Sequence, residues 1–318
     1  MNILNNNIQK KGQLPKLTSM QLFLMTFGYA GVQVAFSVQT GNMGRIFQTL
    51  GTDPTKLGFF FILPPLAGMI TQPLIGLFSD KTWLPKLGRR IPYLIGGCAV
   101  SIVVLLLLPN TGSFGFGYGS MTALWFGAVT VLFMDLSANV SMQPFKMIIP
   151  DMVSEQQTDK AWTLQNMWGS LGGVIAFIFP FALTIFGISN TAARGVVPDS
   201  VKISFYVAAA ILLLSTIFTV INVKEYDPET LAYYHGITAN NEKRDSFVDI
   251  LKHAPKVFWT LGIVEFFVWF GIPYMWTYST GALSENIWHV SDPASAGYQA
   301  AGNWFGILQA VYSVVAIL

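Results

Sequence analysis

The chain has 318 residues, of which 53% are hydrophobic and only 11% charged, with a mean hydropathy of +0.51. A water-soluble domain of that composition could not cover its apolar surface, so the bilayer is the expected solvent. The net charge of +2 gives no cause to invoke nucleic acid, and the single cysteine, Cys98, excludes an intramolecular disulfide and a cysteine metal cluster.

Residues 1–19 read as a polar, asparagine-rich cytoplasmic tail. No small-residue cleavage site follows the first apolar block, so that block is taken as a retained helix and not a signal peptide. Apolar blocks of about twenty residues, each roughly 30 Å long as a helix, lie at 20–40, 57–79, 91–109, 120–142, 162–186, 202–222, 256–279 and 298–318. This predicts an all-α membrane protein with eight spans in the chain. Pro64, Pro65, Pro73, Pro144, Pro180 and Pro273 fall inside or at the ends of these blocks, where neighbouring membrane helices tolerate them.

Lysine and arginine alternate between the connections. Fourteen of the 18 lie on one side, from Lys10, Lys11 and Lys16 through Lys81, Lys86, Arg89 and Arg90 to Lys146, Lys160, Lys224, Lys243, Arg244, Lys252 and Lys256. The other side holds Arg45, Lys56, Arg194 and Lys202. Short cytoplasmic loops carry the excess, which places the amino terminus in the cytoplasm of a cell, or bacterial inner, membrane.

The longest polar stretch separates six spans from two. The chain therefore divides into a six-helix bundle at 20–222, a cytoplasmic linker at 223–255, and the first two helices of an incomplete second bundle at 256–318. Six spans before a charged linker is half of a twelve-helix carrier. Because Leu318 ends an apolar run, the expectation is a truncated chain with about eight of twelve helices; a complete eight-helix protein is the alternative.

The loop after the second span carries Gly76-Leu-Phe-Ser-Asp80-Lys81 and then Leu87-Gly88-Arg89-Arg90. This is a tight glycine turn in which Asp80 can pair with Arg89 or Arg90; an ordinary juxtamembrane basic loop is the plainer reading. The run from Gly112 to Gly119 mimics a phosphate-binding loop but follows no strand, and reads as a turn.

No lysine or arginine falls within a span beyond the terminal Lys202 and Lys256, and two acids do: Asp135 in the fourth and Glu265 in the seventh. A carboxylate near the bilayer centre costs about 2.5–3.5 kcal/mol on the insertion scale, so such groups mark ion or substrate routes. The plainer alternative is a protonated acid bonded to a neighbouring helix. Asn139 lies one turn from Asp135 on the same face. Gln33 in the first span, Gln72 in the second, and Gln165 and Asn166 in the fifth add uncharged amides, which suit a ligand whose hydroxyls both donate and accept. Trp168, Trp269, Tyr274 and Trp276 could stack on sugar rings or serve as packing and interface anchors. A membrane enzyme finds little support, since His235, His253 and His289 are dispersed and no Gly-x-Ser-x-Gly or His-Glu-x-x-His occurs.

Several stretches together resemble the glycoside-pentoside-hexuronide and sucrose-carrier branch of the major facilitator superfamily. They are Gly31-Val-Gln33 through Gln39 to Phe47-Gln-Thr-Leu-Gly51, Gln72-Pro73 through Asp80 to Gly88-Arg89-Arg90-Ile-Pro92, the set Asp135, Asn139, Pro144, Lys146 and Asp151, and Phe266-Phe267-Val-Trp269. The resemblance implies an alternating-access sugar or glycoside:proton symporter without a cofactor. Asp135 would be the proton-coupling group. Gln33, Asn139, Gln165, Asn166, Glu265 and Trp269 are the candidates for the sugar cavity, and Gly76, Asp80, Gly88, Arg89 and Arg90 form a cytoplasmic latch. A facilitator or sodium-coupled carrier of the same fold, and an inactive fragment, are the alternatives. The chain departs from the family at Ile91 and Lys146, which occupy arginine places, and in lacking an arginine in span five.

Overall fold

The computed structural model describes residues 13–53, 63–235 and 252–317. The tail up to residue 12, the start of the second span from 57 to 62, and the linker centre at 236–251 with Glu242, Lys243 and Arg244 lie outside the described residues.

The described residues form ten α-helices: α1 (Ser19–Phe27), α2 (Tyr29–Thr49), α3 (Leu63–Lys81), α4 (Ile91–Leu107), α5 (Met121–Met152), α6 (Thr158–Ile185), α7 (Asp199–Asn222), α8 (Pro228–Tyr234), α9 (Lys256–Ile287) and α10 (Ala296–Val315). Their starts follow from local chemistry. Thr18 and Gln21 make a reciprocal capping box at α1, and the hydroxyls of Ser120 and Ser295 accept from Ala123 N (3.1 Å) and Tyr298 N (3.2 Å) at α5 and α10. Gln157 pins the chain entering α1 to the α5–α6 connection by exchanging hydrogen bonds with the Leu17 backbone, at 2.8 and 2.7 Å.

Helices stand at all eight positions read as spans. Six stretches are long and apolar enough to cross a membrane: Ser19–Thr49, Ile91–Ser113, Met121–Met152, Glu155–Ile185, Asp199–Asn222 and Lys256–Ile287. The other two, α3 and α10, have 19 and 20 residues. The first stretch comprises α1 and α2, joined at Gly28, where a Cβ would fall 1.8 Å from Thr219 Oγ1 of α7. Only glycine permits that approach.

Helices α1, α2 and α4 to α7 surround one apolar core, with Leu22, Ile46, Phe47, Leu94, Met134, Phe145 and Phe205 among its most buried members, and α3 packs on α5. Their outward faces carry Val103, Leu106, Trp125, Phe133, Ile175, Leu214 and Ile221. Apolar residues inside and outside together are the mark of a protein solvated by lipid. Against this bundle α10 packs on α6, and α9 touches α2. On α9 every residue from Lys256 to Trp269 is exposed, whereas Thr277, Thr280 and Ser284 are buried. The second unit thus meets the first at the end remote from Asp80, Arg89 and Arg90, and stands away from it near them.

One boundary differs in a way that changes the reading. The first span was expected to end at residue 40, with Arg45 in a connection, yet α2 continues to Thr49 and Arg45 is only 1% exposed. The polar residues Asn42, Arg45, Gln48 and Thr49 dilute the hydropathy of that last stretch without ending the helix.

Candidate functional site

At one end of the bundle, five charged residues from four elements converge. Arg90 N-caps α4 by position and is 2% exposed. Its guanidinium meets Asp80 at the end of α3 (Nη2 to Oδ1, 2.6 Å) and Asp151 at the end of α5 (Nε to Oδ2, 3.0 Å), and donates to the Ser79 hydroxyl. Arg89 binds Asp151 at 2.7 Å and stands 3.9 Å from Asp80. Three helix ends are tied by two guanidiniums, whose rigid fork of donors suits paired carboxylates.

The fifth residue, Glu225, lies in the stretch 223–255 read from the sequence as a linker. It follows α7 and accepts hydrogen bonds from the backbone N–H groups of Arg89 (3.1 Å), Arg90 (2.9 Å) and Ile91 (3.0 Å). A carboxylate supplied from 134 residues away therefore satisfies the orphan donors that open α4. Burial pushes the Glu225 carboxyl above its ordinary value, and the three N–H donors and the Arg90 charge oppose that rise.

Gly88 makes the contact possible. It holds φ at +85°, closes a turn onto Leu84 O (2.8 Å), and leaves room for Glu225, whose Cδ a Cβ at this position would approach to 2.7 Å. Gly76 is different: a Cβ there would meet nothing nearer than Met147 at 3.9 Å. Its place in the motif has no steric cause in this conformation.

Within the bundle, Asp135 is 5% exposed and its Oδ2 accepts from Gln39 Nε2 of α2 at 2.9 Å. No lysine, arginine or histidine pairs with it among the described residues. Asn139, one turn on, turns its amide N–H back to the Asp135 carbonyl oxygen (2.8 Å) and accepts from Gln72 Nε2 of α3 (2.6 Å). Lys146 Nζ reaches the same Gln72 at 3.4 Å. The acid and the amide therefore part, Asp135 toward α2 and Asn139 toward α3, and the amide chain ends on a cation at the latch end of α5.

Gln33 and Gln165 sit in the α2–α6 seam. Gln165 is 2% exposed, and the Oε1 atoms of Gln33, Gln39 and Gln165 are buried without a protein partner. The seam is tight because Gly169 and Gly172 of α6 lie under Gln33, with Cβ positions 3.3 Å from its side chain. Asn166 is exposed, so the pair Gln165 and Asn166 does not act on one face.

Glu265 and Trp269 also stand apart, on the exposed half of α9. Trp269 connects inward through rings, its centroid 6.3 Å from Trp276, which is 6.4 Å from Phe36 of α2. Trp168 packs edge-on against Phe23 and Phe27, at 5.0 and 4.9 Å, which makes it a packing residue. Gln39 was quoted in a motif but not named as a site. Its partnership with Asp135 spans 96 residues, and no local pattern marks it.

The family model described as Major Facilitator Superfamily matches residues 23–318. The chain is similar to the rice (Oryza sativa subsp. indica) protein named Sucrose transport protein SUT3, 26% identical over 238 residues, covering 68% of this chain and 46% of the rice protein. Sucrose transport protein SUT1 of Oryza sativa subsp. japonica is 25% identical over 64% of this chain and 41% of its own length. For Sucrose transport protein SUC4 of Arabidopsis thaliana the values are 22%, 76% and 50%. The chain spans half or less of the length of these relatives. With an all-helical fold, membrane-length apolar helices and a family match over nearly all of its residues, the chain is an integral membrane protein and belongs to the major facilitator superfamily.

Proposed function

We propose that the chain belongs to a secondary active transporter that carries a sugar or glycoside together with a proton by alternating access. The observation that carries this reading is Asp135: a carboxyl buried in a membrane helix, where charge is costly and marks an ion route, held by one neutral amide and, among the described residues, by no cation. The amide oxygens of Gln33, Gln39 and Gln165, together with Asn139, supply the neutral donors and acceptors that a polyhydroxylated ligand requires. Likeness to proteins named for sucrose transport supports the same substrate class.

In this reading Gln33, Asn139 and Gln165 face the sugar from the first bundle, and Trp269, Asn166 and Glu265 contribute from surfaces now exposed. The cluster of Asp80, Arg89, Arg90, Asp151 and Glu225 ties α3, α4 and α5 on the cytoplasmic side, the side assigned by the lysine and arginine distribution. The test is addition of individual disaccharides and glycosides to proteoliposomes of the full-length protein while external pH is followed. External alkalinisation on adding one sugar is expected. Sugar entry without proton movement would point to a facilitator or a sodium-coupled carrier, and no entry for any sugar would overturn the substrate class.

A further inference from the structure

At the end remote from the latch, Arg45 is a buried cation with no acid partner among the described residues. The guanidinium is 1% exposed, and its three nitrogens donate to neutral amides: Nε to Gln299 Oε1 (2.5 Å), Nη1 to Asn303 Oδ1 (3.1 Å) and Nη2 to Asn190 Oδ1 (2.8 Å). Gln299 and Asn303 belong to α10, and Asn190 to the connection between α6 and α7. Among the described residues no carboxylate pairs with Arg45. The packing leaves no slack, since a Cβ on Gly302 of α10 would come within 2.8 Å of Arg45 Cδ, and one on Gly44 within 2.5 Å of the Thr277 carbonyl oxygen of α9. Nearby, Gly306 of α10 lies on the backbone of Phe177 in α6, where a Cβ would fall 2.4 Å from a carbonyl oxygen.

Arg45 thus sits where the second unit closes on the first, and the same contact must part if that end is ever to open. Two opposing contributions meet there. Two of the amides, Gln299 and Asn303 of α10, hold the second unit to the first through hydrogen bonds to a charge, the stronger class of hydrogen bond, while Asn190 orients the guanidinium from within the first bundle. Desolvation of a cation with no counter-charge pushes the other way, because only separation of the bundles returns water to it. A neutral gate would have the first contribution without the second.

We propose that Arg45 is a positioning residue of the gate at this end, loaded toward opening by its own hydration and restrained by the amides of Gln299 and Asn303 across the seam. The inference rests on the alternating-access reading above and adds a sign to it: charge at position 45 favours the open gate, and the amides favour the closed one. The gate differs from a salt-bridge latch such as Arg90 with Asp80 and Asp151, where separation leaves both charges without their partners.

The experiment follows gate opening directly and needs no sugar. A full-length protein with Thr277→Cys and every other cysteine, Cys98 included, changed to serine carries one thiol at the closed interface, and its labelling by a membrane-impermeant maleimide is timed in right-side-out vesicles. Gln299→Ala combined with Asn303→Ala removes two hydrogen bonds to a buried charge, each worth about ten-fold or more, and is expected to raise the rate by about a hundred-fold. Arg45→Lys, which keeps the charge but loses the fork, is expected to label faster than the parent. Arg45→Gln, which removes the charge and keeps an amide donor for Gln299 or Asn303, is expected to label more slowly. Faster labelling of Arg45→Gln than of the parent, or equal rates throughout, overturns the proposal. Failure to transport any sugar with this ranking intact would count against the proposed function and leave the gate standing.

Discussion

Gln39 of α2 donates its side-chain N–H to Asp135 of α5 across 2.9 Å, joining the two helices at a buried carboxyl. Its own Oε1 is buried without a protein partner. An amide is suited to this place because it can give a hydrogen bond to an ionised acid through Nε2 and accept one from a protonated acid through Oε1. Gln39→Leu removes both options at nearly constant size and leaves Asp135 without its partner. The expected loss is about 1–3 kcal/mol of stability, read as a lower melting temperature in detergent, with Gln39→Glu no better because it sets two acids face to face. A Gln39→Leu protein as stable as the parent would show that the bond contributes nothing.

Arg90 should be the most sensitive residue of the charged cluster. It is 2% exposed and joins Asp80, Asp151 and Ser79 at once. Arg90→Ala takes from Asp80 its 2.6 Å partner and leaves Asp151 to Arg89 alone, a loss approaching the about 3–5 kcal/mol of a buried pair, and Arg90→Lys should recover only part of it because an ammonium cannot span the three contacts. Of the two acids, Asp151→Asn is expected to cost more than Asp80→Asn, since Asp151 binds both arginines at 2.7 and 3.0 Å and is the less exposed. Thermal unfolding of the four variants in one detergent gives the ranking; equal melting temperatures for Asp151→Asn and Asp80→Asn would refute it.

Glu225 links that cluster to pH. Its folded-state pKa lies above the ordinary glutamate value, with burial the largest cause. The sign follows from linkage: a raised pKa stabilises the fold below the unfolded value, and that contribution is lost as pH rises through the folded value. The stability of the parent relative to Glu225→Gln, which never ionises, should therefore decline across that interval. Melting temperatures of both proteins from the acid range to neutrality measure the difference, and a difference that grows with pH would have the wrong sign.

Gly88→Ala combines two penalties in one methyl group. The backbone at φ +85° costs a residue with a Cβ about 1 kcal/mol, and the new carbon would lie 2.7 Å from Glu225 Cδ and Oε1. Loss of the cap on α4 should follow, so Gly88→Ala is expected to destabilise more than Gly76→Ala, which meets only Met147 at 3.9 Å. The comparison separates two glycines of one motif by expression level and melting temperature.

Much of this was legible in the sequence, for reasons that particular residues make plain. Apolar blocks of membrane length gave the helices, because in lipid the backbone must satisfy itself within each segment. The pairing of Asp80 with Arg89 and Arg90 was legible because it is local to the Gly88 turn, whereas Asp151, quoted only in a motif, joins it from the far end of α5. Glu225 was not, since its partners are backbone N–H groups more than a hundred residues away and a linker acid has no periodic signature. Arg45 was misplaced because hydropathy falls before α2 ends, and a polar helix end buried against α10 looks like a connection. Asp135 stood out through its cost in a membrane, but its partner Gln39 is one glutamine among several on α2 and only packing selects it.

The reading of Asp135 as the coupling group is tested most directly by comparing Asp135→Asn with the parent in proteoliposomes carrying an imposed proton gradient and a transported sugar. The prediction is loss of uphill accumulation in Asp135→Asn with exchange of labelled for unlabelled sugar retained. Accumulation by the variant against a sugar gradient would contradict it.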